Sequence, residues 1–241
     1  VQTDLKGQTF ATLPAVKNVV HGKTTIDSRF PPSLPNKPFA IDPYVPISEK
    51  TGDLVHRFYQ QQAQINGGRM DRFAAVSDAG ALTMGYYDGS RTALWAYGQK
   101  YTVADHFFHA AFGSSFLNHF WLVCACTPRF DNAPDAIRAR IASDGSMLRD
   151  GAVTPDGYAV NTIFSVQKPH PDAIPERQLL PPQGMLTIGD RLSDKGISWA
   201  WYAGGWNNAL AGRPDPSFQY HHQPFAYFRR YGENTAARKE H

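Results

Sequence analysis

A glycine, two serines and then an almost unbroken apolar run, Gly113-Ser114-Ser115 followed by Phe116 to Cys124, admit few local structures. The apolar stretch predicts a buried helix, and Gly-Ser-Ser marks its start, because serine is a preferred N-cap residue. In the first turn of a helix the backbone N–H groups lack intrahelical partners and lie at the positive end of the peptide dipole. Such a place binds an anion such as phosphate, and it stabilises a serine alkoxide. Ser115, Asn118 and His119 stand at i, i+3 and i+4. A hydroxyl, an amide and an imidazole therefore project from one helical face. Two readings stand side by side here, a plain helix cap and a nucleophile.

The bulk of the chain sets the frame. With 241 residues, 42% hydrophobic and 13% aromatic, it can build a substantial globular core. A formal charge of +3 is too small to imply nucleic acid. The one basic cluster, Arg229-Arg230 through Arg238-Lys239, is broken by Glu233 and Glu240 and reads as a solvated surface. No run approaches the roughly 20 apolar residues of a membrane span, and Val1 opens in polar sequence without the pattern of a signal peptide. Cys124 and Cys126 fall two apart inside the apolar helix. Helical projection points them in different directions, which argues against a mutual disulfide and for buried thiols. They have no second Cys or His pair at zinc-ligand spacing.

Along the chain, residues 1 to 48 are proline-rich and read as an extended segment, with a short strand at Thr24–Ile26. Thr51 through Asn66 predicts a helix stopped by Gly67-Gly68, and Thr92 to Tyr101 a second, with Leu94, Trp95 and Tyr97 packing inward. Tyr101 to Phe108 reads as a strand leading into the Ser115 helix. Asp144-Gly145 and Asp156-Gly157 are turn signals. Thr187 to Lys195 predicts a helix capped at Thr187 and stopped by Gly196, and Ile197 to Tyr202 a buried strand. The organisation expected is an α/β core in 1–127, a loop- or β-rich lid inserted at 128–183, and a return to the core in 184–241.

Several segments carry a resemblance. Thr102-Val-Ala-Asp105-His-Phe-Phe108 with Phe112-Gly-Ser-Ser115-Phe-Leu-Asn118-His119 resembles the nucleophile segment of the bacterial phosphoesterase family. That family holds acid phosphatases and phospholipases C and lies in the alkaline-phosphatase-like superfamily. Asp53-Leu-Val-His56, Gln64-Ile-Asn66-Gly-Gly-Arg-Met-Asp71, Met84-Gly-Tyr-Tyr87 and Gly189-Asp190-Arg191 with Gly196-Ile-Ser-Trp199 match further landmarks in order. Phospholipase C members read more like Gly-Pro-Thr-x-Pro-Asn-Arg. Ser115, Leu117 and His119 in place of Thr, Pro and Arg lean toward the acid phosphatase branch.

The resemblance implies an α/β/α sandwich of alkaline-phosphatase-like type, incomplete in this chain. It implies hydrolysis of phosphoric esters through a phosphoserine on Ser115, assisted by a divalent metal that Ser115 also ligates. His221 and His222 would serve as catalytic imidazoles, and Asn118, His56 and His119 would bind substrate. For both His221 and His222 to reach one site, their backbone must leave the regular strand. Asp105, His106 and His109 are read as supporting residues, Trp199 and Trp201 as core, and Trp206 as a pocket wall. The family's metal ligands fall on N- and C-terminal segments not matched here, so those segments of the same enzyme are expected partners. Location in the periplasm or outside the cell is a family expectation. The rivals are a phospholipase C or other phosphodiesterase, and a non-catalytic phosphate- or ligand-binding module. No HExxH, Gly-x-Ser-x-Gly or Gly-x-Gly-x-x-Gly run occurs, so zinc peptidase, α/β-hydrolase and dinucleotide chemistry lack their usual signatures.

Overall fold

Prolines at 31, 32, 35, 38, 43 and 46 remove backbone donors, so the first part of the chain pairs only in short pieces. In the computed structural model, which describes residues 1–20 and 23–241, the chain divides into two compact units, Val1–Phe108 and His109–His241.

The first unit carries strands β1 (Thr12–Leu13), β2 (Lys17–Val20), β3 (Lys23–Ile26), β4 (Leu34–Pro35) and β5 (Phe39–Ala40). Helices α1 (Phe58–Ile65) and α2 (Phe73–Val76), strand β6 (Gly85–Tyr86) and helix α3 (Ala93–Lys100) follow. β1 pairs with β4 and β2 with β3, both antiparallel, the latter in register Lys17 to Ile26, while β5 pairs with β6 in parallel. The expected short strand at Thr24–Ile26 is thus the body of β3. Leu13, Val16, Phe30, Leu34, Ile41, Val45 and Leu82 form the core. Gly80 is required there: its φ is +59°, and a Cβ would sit 2.3 Å from the Ala15 carbonyl.

The helix expected over 51–66 is shorter. It begins at Phe58 and ends on Asn66, which adopts the left-handed conformation at φ 49°. α3 forms as expected, but Leu94, Trp95 and Tyr97 do not pack inward; all three are exposed. The strand expected at 101–108 is absent as well, because the chain turns at Asp105-His106 and every residue from Tyr101 to Ala110 is exposed. Apolar composition predicted burial here, yet burial needs a partner surface, and neither segment has one among the described residues.

The second unit contains α4 (Ser115–Cys124), the hairpin β7 (Arg140–Ile141) and β8 (Met147–Arg149), α5 (Ile188–Asp194), α6 (Trp206–Leu210) and α7 (Ala236–Glu240). Its core lies where Phe116 and Phe120 of α4 meet Tyr227, with ring centroids 5.7 and 5.2 Å apart. Phe120 also meets Phe228 at 5.6 Å. The Tyr227 hydroxyl donates to the Ile163 carbonyl at 2.8 Å, and burial pushes its pKa upward. Val153, Ala159 and Leu180 are completely buried. The 128–183 segment therefore belongs to the same compact unit as α4, and the unit boundary falls at 108/109. Both Asp-Gly signals form turns, with φ of +85° at Gly145 and +91° at Gly157.

α5 begins with a capping box in which Thr187 and Asp190 exchange hydrogen bonds. Gly189 on that helix lies under the Trp199 indole, where a Cβ would come within 2.3 Å of the ring. The buried strand expected at 197–202 is instead a segment outside any sheet, with Trp201 N donating to the His241 carbonyl: Ile197 and Tyr202 are exposed, while Trp199 and Trp201 are half-buried. The fold is thus a mixture of helices and four two-stranded sheets among the described residues. This is compatible with the α/β class, and no sheet of more than two strands occurs among the described residues.

The cysteines depart most clearly from expectation. Cys124 and Cys126 are joined in a disulfide, so neither is a free buried thiol. α4 ends at Cys124, and Ala125 turns left-handed at φ 48°. That turn brings the two Cα atoms to 5.1 Å, inside the range a disulfide spans. Helical projection did not apply past the cap. No helix among the described residues is long and apolar enough to cross a membrane.

Candidate functional site

α4 starts where its sequence says it should, but not by the usual cap. Ser114 occupies the N-cap with extended backbone, yet its hydroxyl bonds none of the first-turn N–H groups. That hydroxyl is buried and has no hydrogen-bond partner. The side chain of Asn118 does the work instead. Its amide oxygen accepts from Ala111 N at 3.3 Å, and its amide nitrogen lies 3.1, 3.2 and 3.3 Å from the carbonyls of Ala111, Gly113 and Ser114. Asn118 thus fixes the loop in front of the helix and leaves the helix end uncapped by any side chain.

Ser115 is the first helical residue and is half-buried. Its hydroxyl oxygen lies 3.1 Å from Nε2 of His222. His222 sits on a single 3-10 turn, Tyr220–His222, so the backbone has left the strand conformation, as two convergent imidazoles require. The turn is held against α4 by the next one, Pro224–Tyr227, whose Tyr227 packs on Phe116 and Phe120. Core packing a few residues downstream therefore sets the Ser115–His222 distance.

Two more imidazoles surround this pair. His119 stacks on His222 with centroids 4.7 Å apart and planes 14° from parallel. Its Nδ1 lies 2.6 Å from the Ser115 carbonyl. A carbonyl oxygen only accepts, so Nδ1 of His119 carries the proton. His221 lies edge-on to His222 with centroids 4.4 Å apart. Burial, and then the neighbouring charge of His119, hold the His222 pKa below the usual imidazole value. At neutral pH His222 is therefore a neutral imidazole whose Nε2 faces a serine hydroxyl at the positive end of a helix.

The structure brings Ser115, His119, His221 and His222 together in the second unit. Asn118 is adjacent, with its amide turned to the loop backbone. His56 belongs to the first unit and lies before α1 rather than on it; its Nδ1 is 2.6 Å from the Leu54 carbonyl. Asp105, His106 and His109 are exposed, with His106 paired to Asp105 at 3.0 Å. Trp206 lines a cleft, and so do Trp199 and Trp201, for which the sequence predicts core packing. The stack of His119 on His222 had no sequence signal beyond the i, i+4 spacing from Ser115.

Among the described residues, no group of three or more His, Cys, Asp or Glu side chains is placed to hold a metal ion. The Ser115 hydroxyl and carbonyl meet the imidazoles of His222 and His119. A model of the phosphoesterase family matches residues 6–241, and the chain belongs to that family. No curated protein matches the chain significantly.

Proposed function

From membership of the phosphoesterase family, which points to hydrolysis of phosphoric esters, we propose an acid phosphatase-like hydrolase whose nucleophile is Ser115. The observation that carries the reading is the 3.1 Å contact between the Ser115 hydroxyl and His222 Nε2. Serine is a weak nucleophile until a base takes its proton. His222, kept neutral by burial and by His119, is the base. As the proton passes to Nε2, the serine oxygen bonds to phosphorus and the bond from phosphorus to the ester oxygen breaks. The departing alcohol oxygen takes a proton from His221. Water then attacks the phosphoserine, losing a proton to His221; the bond from phosphorus to the serine oxygen breaks, and His222 returns its proton to that oxygen as phosphate leaves. The first N–H groups of α4, left without a side-chain cap, face the charge that builds on the phosphoryl oxygens. Asn118 acts by holding the loop that exposes them.

Members of this family are generally metal-dependent. A divalent ion would supply charge neutralisation at the phosphoryl group, but the described residues gather no donor set that fits one. The steps above use only groups of this chain.

The test is turnover of 4-nitrophenyl phosphate, measured with and without added divalent cations, against Ser115→Ala. Activity abolished by that substitution supports the reading. Undiminished activity in Ser115→Ala would remove the serine from the chemistry. Hydrolysis of bis(4-nitrophenyl) phosphate alone would place the protein with the phosphodiesterases, and phosphate binding without any turnover would make it a binding module.

A further inference from the structure

The second unit holds a cleft of about 550 Å³ whose wall includes neither Ser115 nor His222. This volume is in the range of small-molecule sites. Trp199, Trp201, Trp206 and Tyr231 supply aromatic surface, and Arg238 supplies the formal charge. No Asp or Glu side chain lines the cleft. The indole N–H groups of Trp199 and Trp201 are already used, donating to Ser193 Oγ at 2.9 Å and Gln223 Oε1 at 3.0 Å. Trp199 is stacked on His241 with ring centroids 4.1 Å apart, so the carbon surface left for a ligand comes from Trp201 and Trp206.

Arg238 is the unusual element. Its guanidinium lies over the Trp206 ring, 5.0 Å from the centroid, and Nη2 donates to the Lys168 carbonyl at 2.6 Å. Nη1 is shielded from water, and no group among the described residues accepts from it. A buried donor left unpaired is destabilising, and more so when it is charged. A small swing of the side chain toward the cleft would let an acceptor there take up that bond. The acceptor that gains most is an anion, because bonds between a guanidinium and an anion are charge-assisted. A cationic ligand would meet the guanidinium directly, since no Asp or Glu side chain lines the cleft and Glu233 acts on Arg238 from outside it. A neutral sugar would stack on the indoles but make no charge-assisted bond.

We propose that this cleft is a binding site for a planar aromatic anion, its ring stacked among the tryptophans and its charged group paired with Arg238. The inference does not rest on the chemistry of Ser115. One chain residue links the two places, since Gln223 in the cleft wall follows His222.

The probe is phenylphosphonate, whose carbon–phosphorus bond resists hydrolysis, titrated against tryptophan fluorescence. Saturable quenching is expected, with cyclohexylphosphonate and methylphosphonate each about tenfold weaker or worse because they lack a flat ring. Arg238→Gln and Trp206→Ala should each weaken phenylphosphonate by about tenfold. Trp206→Phe should retain most of the affinity, and Ser115→Ala should leave it unchanged. Loss of binding in Ser115→Ala with full binding in Arg238→Gln would put the ligand at the serine and overturn the proposal. So would equal affinity for the three phosphonates, or no saturable signal. If Arg238→Gln fails to fold, the ranking of the three probes on the unmutated protein still decides the matter.

Discussion

α3 and α4 are both short helices rich in aromatic and aliphatic residues, yet they are built on opposite terms. α3 has a correct local cap, with the Thr92 hydroxyl accepting from Trp95 N at 3.2 Å, and it buries nothing. α4 has an N-cap serine that caps nothing, and it buries Phe116, Leu117, Phe120 and Val123. In α3 local chemistry defines the helix, whereas in α4 tertiary packing does. Isolated helices of this length are marginal in water, so packing is the stronger determinant. Only α4 can therefore hold a side chain in a fixed relation to a distant one, and only α4 carries a candidate nucleophile.

The largest expected effect tests that assignment. Ser115→Ala should lower kcat for a phosphomonoester by roughly 10⁴-fold or more, measured by single-turnover kinetics. Substituting Leu94 on α3 should leave kcat unchanged. His222→Gln comes next, with a loss of about 10²–10⁴-fold. It also carries a signature in pH. The pKa of His222 is lowered, so the imidazole keeps its lone pair into mildly acid solution. Activity should be retained above this depressed pKa and lost as pH falls through it, with the inflection below the ordinary 6.5 of histidine. The His222→Gln residual rate should show no inflection there. An inflection that survives the substitution would mean that another group is the base.

Stability separates the two helices next. Phe120→Ala removes a completely buried ring and should cost about 3–5 kcal/mol in denaturant unfolding. Leu94→Ala, at an exposed position, should stay within about 0.5 kcal/mol. The smallest effects have opposite signs. Thr92→Ala should loosen α3 by about 1 kcal/mol, read as faster amide exchange at Trp95. Ser114→Ala deletes a buried hydroxyl with no partner, and should be neutral or mildly stabilising. A clear destabilisation by Ser114→Ala would contradict the claim that Asn118, not Ser114, orders the start of α4.

The same contrast explains what the sequence made legible. Local signals are legible: Thr187 at the start of α5, Gly196 after it, both Asp-Gly turns, and the Ser115 start of α4. Ser115, His221 and His222 were named from a family pattern, and they lie side by side. Properties set by packing partners, or by a single backbone conformation, are not readable. Leu94, Trp95 and Tyr97 have the composition of a core face and lie exposed. Cys124 and Cys126 diverge on a helix, but a left-handed Ala125 joins them. Asn118 has the spacing of a phosphate ligand, while its amide is taken by the backbone of residues 111–114. The cleft around Arg238 is built from residues as far apart as Trp199 and His241, a grouping that no sequence spacing encodes.

The most direct check of the account is the covalent state of Ser115 during turnover. Acid quenching of the enzyme in reaction with a phosphomonoester, followed by peptide mass spectrometry, should find a phosphoryl group on Ser115. The same experiment on Ser115→Ala should find none. Phosphate recovered on a histidine instead, or unmodified Ser115 under steady turnover in an enzyme whose dephosphorylation has been slowed, would contradict it.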